Sequence, residues 1–89
     1  MITVNEARAM TEAKRVEEAN KFEMAVQYYI DTDVNDAVVR EAKKGENEAF
    51  VRYNAMMYTK EYRNRVIEVL EANGYTTRPV NKVGFCVEW

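Results

Sequence analysis

Between residues 2 and 44 the chain contains neither glycine nor proline. Nothing in that stretch frees the backbone for a tight turn or removes a main-chain donor, so a helix meets few obstacles there. Thr3 and Glu6 have the capping-box spacing, in which the threonine oxygen accepts from an orphan amide and the glutamate reaches back. Val4, Ala7, Met10, Ala13, Val16, Ala19, Phe22, Val26 and Tyr29 then recur every three or four residues, which reads as one apolar stripe on a long helix. Glu17 and Lys21 stand four apart on its polar side, where opposite charges support a helix.

Asp31-Thr32-Asp33 is the one candidate break. Thr32 or Asp33 can cap a second helix carrying Val34, Ala37, Val38 and Ala42. Lys43-Lys44-Gly45 closes that region, with cations in the last turn and a glycine free to take the left-handed conformation. Residues 4–44 form either a hairpin of two helices or one rod. A rod would run about 60 Å at 1.5 Å per residue, long for so short a chain, and would imply an oligomer or a bend.

The second half changes character. Residues 49–53 (Ala49-Phe50-Val51-Arg52-Tyr53) read as a short strand, and residues 54–58 as a loop or a strand extension with the exposed pair Met56-Met57. Thr59 is placed to cap a third helix with Tyr62, Val66, Val69 and Leu70 inward and Glu61 paired with Arg65 outward. Asn73-Gly74 ends it. Residues 75–80 and 83–89 then form a hairpin about an Asn81-Lys82 turn. In the last strand Val83, Phe85, Val87 and Trp89 alternate with Gly84, Cys86 and Glu88, the pattern of a half-buried strand. Pro79 cannot donate to a ladder, which places residues 75–80 at an edge. The strand–helix–strand crossover makes the first two strands parallel, so the terminal strand lies between them, antiparallel to both. The expected architecture is α+β, in the order α-α-β-α-β-β. A three-stranded, mostly antiparallel sheet packs against helices, with residues 1–45 helical and 46–89 forming a β-α-β-β unit, in a single domain of 89 residues.

The reactive inventory is thin. The chain has no histidine and no serine. That removes the side chain most used for proton transfer near neutral pH and the usual nucleophile pairs. The single cysteine, Cys86, allows no internal disulfide and no zinc site, and it reads as a small buried or edge residue. The three glycines form no phosphate loop. Asp31, Asp33 and Asp36 resemble half of a hard-cation site but lack its glycine and bidentate glutamate; helix capping is the simpler reading. No catalytic residue, metal or cofactor is assigned. A hydrolase built from carboxylates alone and acting on a nucleotide is the residual enzymatic option.

The net charge of −2 gives no reason to expect nucleic acid. Residues 49–89 nevertheless carry 6 basic and 4 acidic side chains. Arg52, Tyr53, Arg63 and Arg78, with Tyr58, Lys60, Tyr62 and Lys82 nearby in sequence, are the candidate anion-binding set. They are expected around the start of the third helix, where free amides and arginine forks suit phosphate or carboxylate. Met10, Ala13, Val16 and Phe22 are the candidate self-association residues on the stripe. No run of residues approaches a membrane span, and the first residues lack the basic and apolar regions of a signal peptide, so cytoplasm is the expected setting.

From Ala37 onward four segments form a pattern: Glu41-Ala42-Lys43-Lys44-Gly45, Phe50-Val51-Arg52-Tyr53, Val66 to Gly74-Tyr75, and Phe85-Cys86-Val87-Glu88-Trp89. This resembles small proteins of tailed bacteriophages: a helix ending in Lys-Lys-Gly, an aromatic strand, a helix ending before Gly-Tyr, and a last strand finishing in Trp. The connection at residues 54–58 departs from that pattern. The resemblance implies a viral origin and an α+β fold, and carries no activity or functional residues. The function expected is that of a non-enzymatic accessory protein, a homo-oligomer that binds a host protein or an anionic small molecule in the host cytoplasm. The alternative is a structural component of the virus particle.

Overall fold

The computed structural model covers residues 1–89. Helix α1 spans Val4–Tyr29 and passes without a break through one π-helical turn, Ile30–Val34, into α2, Asn35–Lys43. Strand β1 (Glu48–Arg52), a 3₁₀ turn (Ala55–Tyr58), α3 (Lys60–Ala72), β2 (Thr76–Asn81) and β3 (Gly84–Glu88) follow. The rod alternative therefore holds for residues 4–43, and the molecule extends 64 Å along its longest axis. Its radius of gyration is 17.4 Å, against about 12 Å for a compact chain of this length.

The excess length is an arm. Every side chain from Val4 to Lys21 is exposed except the half-buried Ala7. The reason lies in the spacing of the apolar residues. At 3.6 residues per turn, a step of three falls about 60° short of a full turn. From Val4 to Phe22 the apolar series advances by threes only, so it winds once round the helix instead of holding one face. The expected stripe does not exist; Met10 and Val16 are 65% and 53% exposed. Within the arm, alanine and charged helix formers favour the helical conformation. The Thr3 hydroxyl oxygen accepts from the Glu6 amide at 3.1 Å. Lys14–Glu18 and Lys21–Glu17 ion pairs, at 3.1 and 3.2 Å, span single turns. The carboxyl of Glu18 is held below its usual range by its bond to Lys14 and by Lys14's charge.

Since the arm contributes no core, deletion of residues 1–20 is expected to leave a cooperative thermal transition within about 5 °C of the full chain. Loss of that transition on circular dichroism would show that the arm stabilises the body.

The π turn does specific geometrical work. The buried residues of the rod are Val26, Tyr29, Val34 and Ala37. Tyr29 and Val34 are five apart, which in a regular α-helix puts them about 140° from each other. One π turn absorbs an extra residue and restores the phase, so both face the core. The helix break expected at Asp31-Thr32-Asp33 is thus a change of pitch. The Thr32 hydroxyl donates to the Tyr28 carbonyl at 2.7 Å within it, and no side chain caps α2.

Both later helix stops are as the glycines require. Gly45 and Gly74 have φ of 84° and 91°. The following residues close the paired bonds of a Schellman ending, Glu46 N–H to Glu41 O and Tyr75 N–H to Leu70 O. Thr59 does precede α3, yet its hydroxyl turns back to the Met56 carbonyl. Asn54 caps the 3₁₀ turn instead, accepting from Met56 and Met57 amides at 3.1 and 3.0 Å. That turn drives Met57 to full burial while Met56 stays exposed, so the two methionines part company.

The sheet order is β1-β3-β2, with both neighbours antiparallel to β3, as the connectivity demanded. Ala49, Val51, Phe85 and Val87 form its inner face. Against them pack Val26, Tyr29, Val34 and Ala37 from the rod and Tyr62, Val66 and Leu70 from α3. Arg65 does not pair with Glu61; it reaches across to Glu23 of α1 at 2.9 Å and to Glu68 at 3.0 Å.

Candidate functional site

Helices cover one face of the sheet only. Strand alternation therefore assigns the other face residue by residue: Glu48, Phe50 and Arg52 on β1, Gly84, Cys86 and Glu88 on β3, Thr76 and Arg78 on β2. Alternation predicts a half-buried β3, with Cys86 a small buried or edge residue; Cys86 is buried, and Gly84 is buried with it beside Phe85 and Val87. A central strand shares its outer surface with two neighbours, and here those neighbours lean inward. The Phe50 ring lies directly on Gly84. Arg78, opposite Cys86, forms ion pairs with Glu88 at 3.2 Å and Glu48 at 3.7 Å. The bond to Glu88 is the main reason its guanidinium is held above the usual arginine range. Cys86 is a small buried residue between these groups. Val83 falls in the hairpin turn and Trp89 past the last strand residue, so neither is buried; Trp89 stands edge-on to Tyr75 at 6.5 Å.

The four candidate anion-binding residues divide between two layers. Arg52 and Arg78 share the outer face of the sheet, on opposite edge strands. Tyr53 belongs to the helical side, stacked on Phe85 at 5.9 Å and edge-on to Tyr58 at 5.5 Å. Arg63 joins it there through a bond from its guanidinium to the Met57 carbonyl at 3.4 Å. They do not converge on the start of α3, because consecutive strand residues point to opposite faces. Arg52 has no carboxylate within 4 Å, whereas Arg78 has two. Asp31, Asp33 and Asp36 form no cation-holding group, since no three acidic or cysteine side chains come together anywhere in the molecule.

Of the candidate self-association residues, Phe22 belongs to the body, edge-on to Tyr62 at 5.8 Å. Met10, Ala13 and Val16 each point about 60° away from the next and form no common seam.

The cleft beside these groups runs along the free side of β1. It holds about 340 Å³ and is lined by Asp33, Asp36, Ala37 and Arg40 from the rod and by Phe50, Val51 and Arg52. At one end the Tyr29 hydroxyl donates to the Arg52 carbonyl at 2.8 Å. Glu48, Phe50 and Glu88 are the site residues that composition did not single out. The signal for Glu48 and Phe50 was present only as the alternation of residues 48–52 along β1, and that for Glu88 as the alternation along β3.

Tyr29 is 1% exposed, and burial raises its hydroxyl well above the ordinary tyrosine range, with Asp33 adding to the effect. The folded state therefore holds this proton more tightly than the unfolded chain. The stability this contributes is complete below about pH 10 and is lost as pH rises through that value toward the folded pKa. Thermal midpoints measured from pH 8 upward are expected to fall above pH 10, and to fall less steeply in Tyr29→Phe. Equal slopes would remove Tyr29 as the cause.

No protein-family model, curated protein or solved structure matches the chain. No helix is long and apolar enough to cross a membrane.

Proposed function

We propose that this chain is a non-enzymatic accessory protein of bacteriophage type, which self-associates and acts by binding a host protein or an anionic small molecule. The observation that carries the reading is the arm. Eighteen residues of charged helix project from a small body and meet nothing else in the chain. A helix of this kind displays a partner surface without spending core to do so. Beside it, the sheet face not covered by helices carries Arg52 without a carboxylate partner, which offers a contact for an anion.

Three measurements test the reading. Affinity capture with the full chain and with a chain lacking residues 1–20 is expected to recover a host protein with the first only. Recovery of the same protein by both would exclude the arm. Small-molecule analysis of the eluate checks the second partner class, and Arg52→Ala is expected to reduce any anion recovered. Sedimentation at high micromolar concentration checks self-association; a monomer would sink that part.

A rod of this length with an open sheet face also suits docking on a larger shell, as a component of the virus particle. Mass spectrometry of purified particles separates the two readings, and absence of the chain from the particle would exclude the second.

A further inference from the structure

The sheet has two edges, and they are built differently. β2 is guarded: Pro79 offers no donor, and the ladder to β3 shifts between Pro79 and Asn81. Such features keep an edge from pairing with another chain. β1 has neither, and its five residues pair with β3 in unbroken register. The bonds from Trp89 N–H to Asn47 O and from Tyr53 N–H to Val83 O show that the odd-numbered residues of this strand bond to β3. The main-chain groups of Glu48, Phe50 and Arg52 consequently point away from the sheet, those of Phe50 and Arg52 beside the cleft whose other wall is the rod.

The geometry points to a second copy of this chain as the occupant of that edge, with β1 pairing antiparallel to β1 of the second copy about a two-fold axis at Phe50. This rests on the self-association proposed above and names its surface. The strand sequence Glu-Ala-Phe-Val-Arg carries the argument. Laid antiparallel on itself it sets Glu48 against Arg52 of the second copy, Arg52 against Glu48 of the second copy, and Phe50 against Phe50. A parallel pairing would set like charge against like. Cross-strand neighbours lie about 5 Å apart, so both ion pairs form at contact distance. The pairing supplies the carboxylate that Arg52 lacks within its own chain. Glu48 has only the 3.7 Å contact to Arg78 to give up. Phe50, 39% exposed, meets the equivalent ring. The three outward-facing residues of each strand make about six main-chain hydrogen bonds, with the Arg52 carbonyl using its second lone pair beside Tyr29. The outer faces of both copies then form one continuous sheet surface.

Charge reversal tests this by sedimentation equilibrium, with far-UV circular dichroism to establish that each variant is folded. Glu48→Lys and Arg52→Glu each convert both symmetry-related pairs to like charges. Each is expected to raise the dimer dissociation constant at least about tenfold. The double variant Glu48→Lys/Arg52→Glu is complementary again and is expected to return to the original value. An equimolar mixture of the two single variants is expected to form the heterodimer in preference to either homodimer. A wild-type dimer that all three variants share unchanged would overturn the β1 edge and leave self-association standing at another surface. A wild-type monomer at high micromolar concentration would overturn both.

Discussion

Gly84→Ala is expected to lower stability by about 2–3 kcal/mol, read as a lower urea midpoint with unchanged slope. A β-carbon at this position would meet the Phe50 ring and would stand 2.6 Å from the Val51 carbonyl oxygen. The ring can move; the main-chain oxygen of a paired strand cannot move without disturbing the ladder. Combining the change with Phe50→Ala removes the ring and leaves the oxygen. The double variant is therefore expected to be more stable than the two separate losses predict, by more than about 0.5 kcal/mol, yet still less stable than Phe50→Ala alone. Gly84→Ala with an unaltered midpoint would show that the ring and β1 shift freely. Because Phe50 is seated by this contact, the same substitution is expected to weaken the pairing proposed at the β1 edge.

The sheet was largely legible because its signals are local. Gly45 and Gly74 mark helix ends where φ is positive, and Pro79 marks the edge. With one strand forced to the edge by proline and the crossover forced parallel by the intervening helix, a single strand order satisfied the hairpin. Boundaries moved by a residue where the alternation runs on into a turn, as at Val83. The Met56-Met57 pair was misread because nothing in two adjacent methionines tells which is buried; Asn54, bonding both following amides, decides it.

The rod was legible as a helix and illegible as a surface. Uninterrupted helix formers predict conformation, but a spacing of three was taken for an apolar face when it winds round the axis. The gap of five from Tyr29 to Val34 was the visible trace of the π turn, and its meaning depends on knowing that both residues are buried. The candidate site failed to appear for a related reason. Arg52 and Tyr53 are neighbours in sequence and lie in different layers. Glu48 and Arg52, four apart on one strand, matter only through a register and a symmetry that sequence does not display.

Tyr62→Ala is expected to cost about 3–5 kcal/mol, and Tyr62→Phe about 1 kcal/mol. Tyr62 is 1% exposed, its ring edge-on to Phe22 and Tyr29, and its hydroxyl donates to the Ala25 carbonyl at 2.8 Å. An 89-residue domain holds roughly 4–13 kcal/mol in all, so the alanine variant loses between about a quarter of its stability and the whole. The consequence reaches beyond the body. Residues 4–21 are exposed along almost their whole length, and a helix without packing must form its own costly nucleus. Its helicity depends on the folded segment from Phe22 to Tyr29, which Tyr62 holds against α3. Tyr62→Ala is accordingly expected to lose helical signal over the arm as well as the body in one transition, and to abolish capture of any partner that requires residues 1–20. Tyr62→Phe, which keeps the ring, is expected to retain both. A Tyr62→Ala chain that melts at the wild-type temperature would mean that the arm is anchored by something other than this contact.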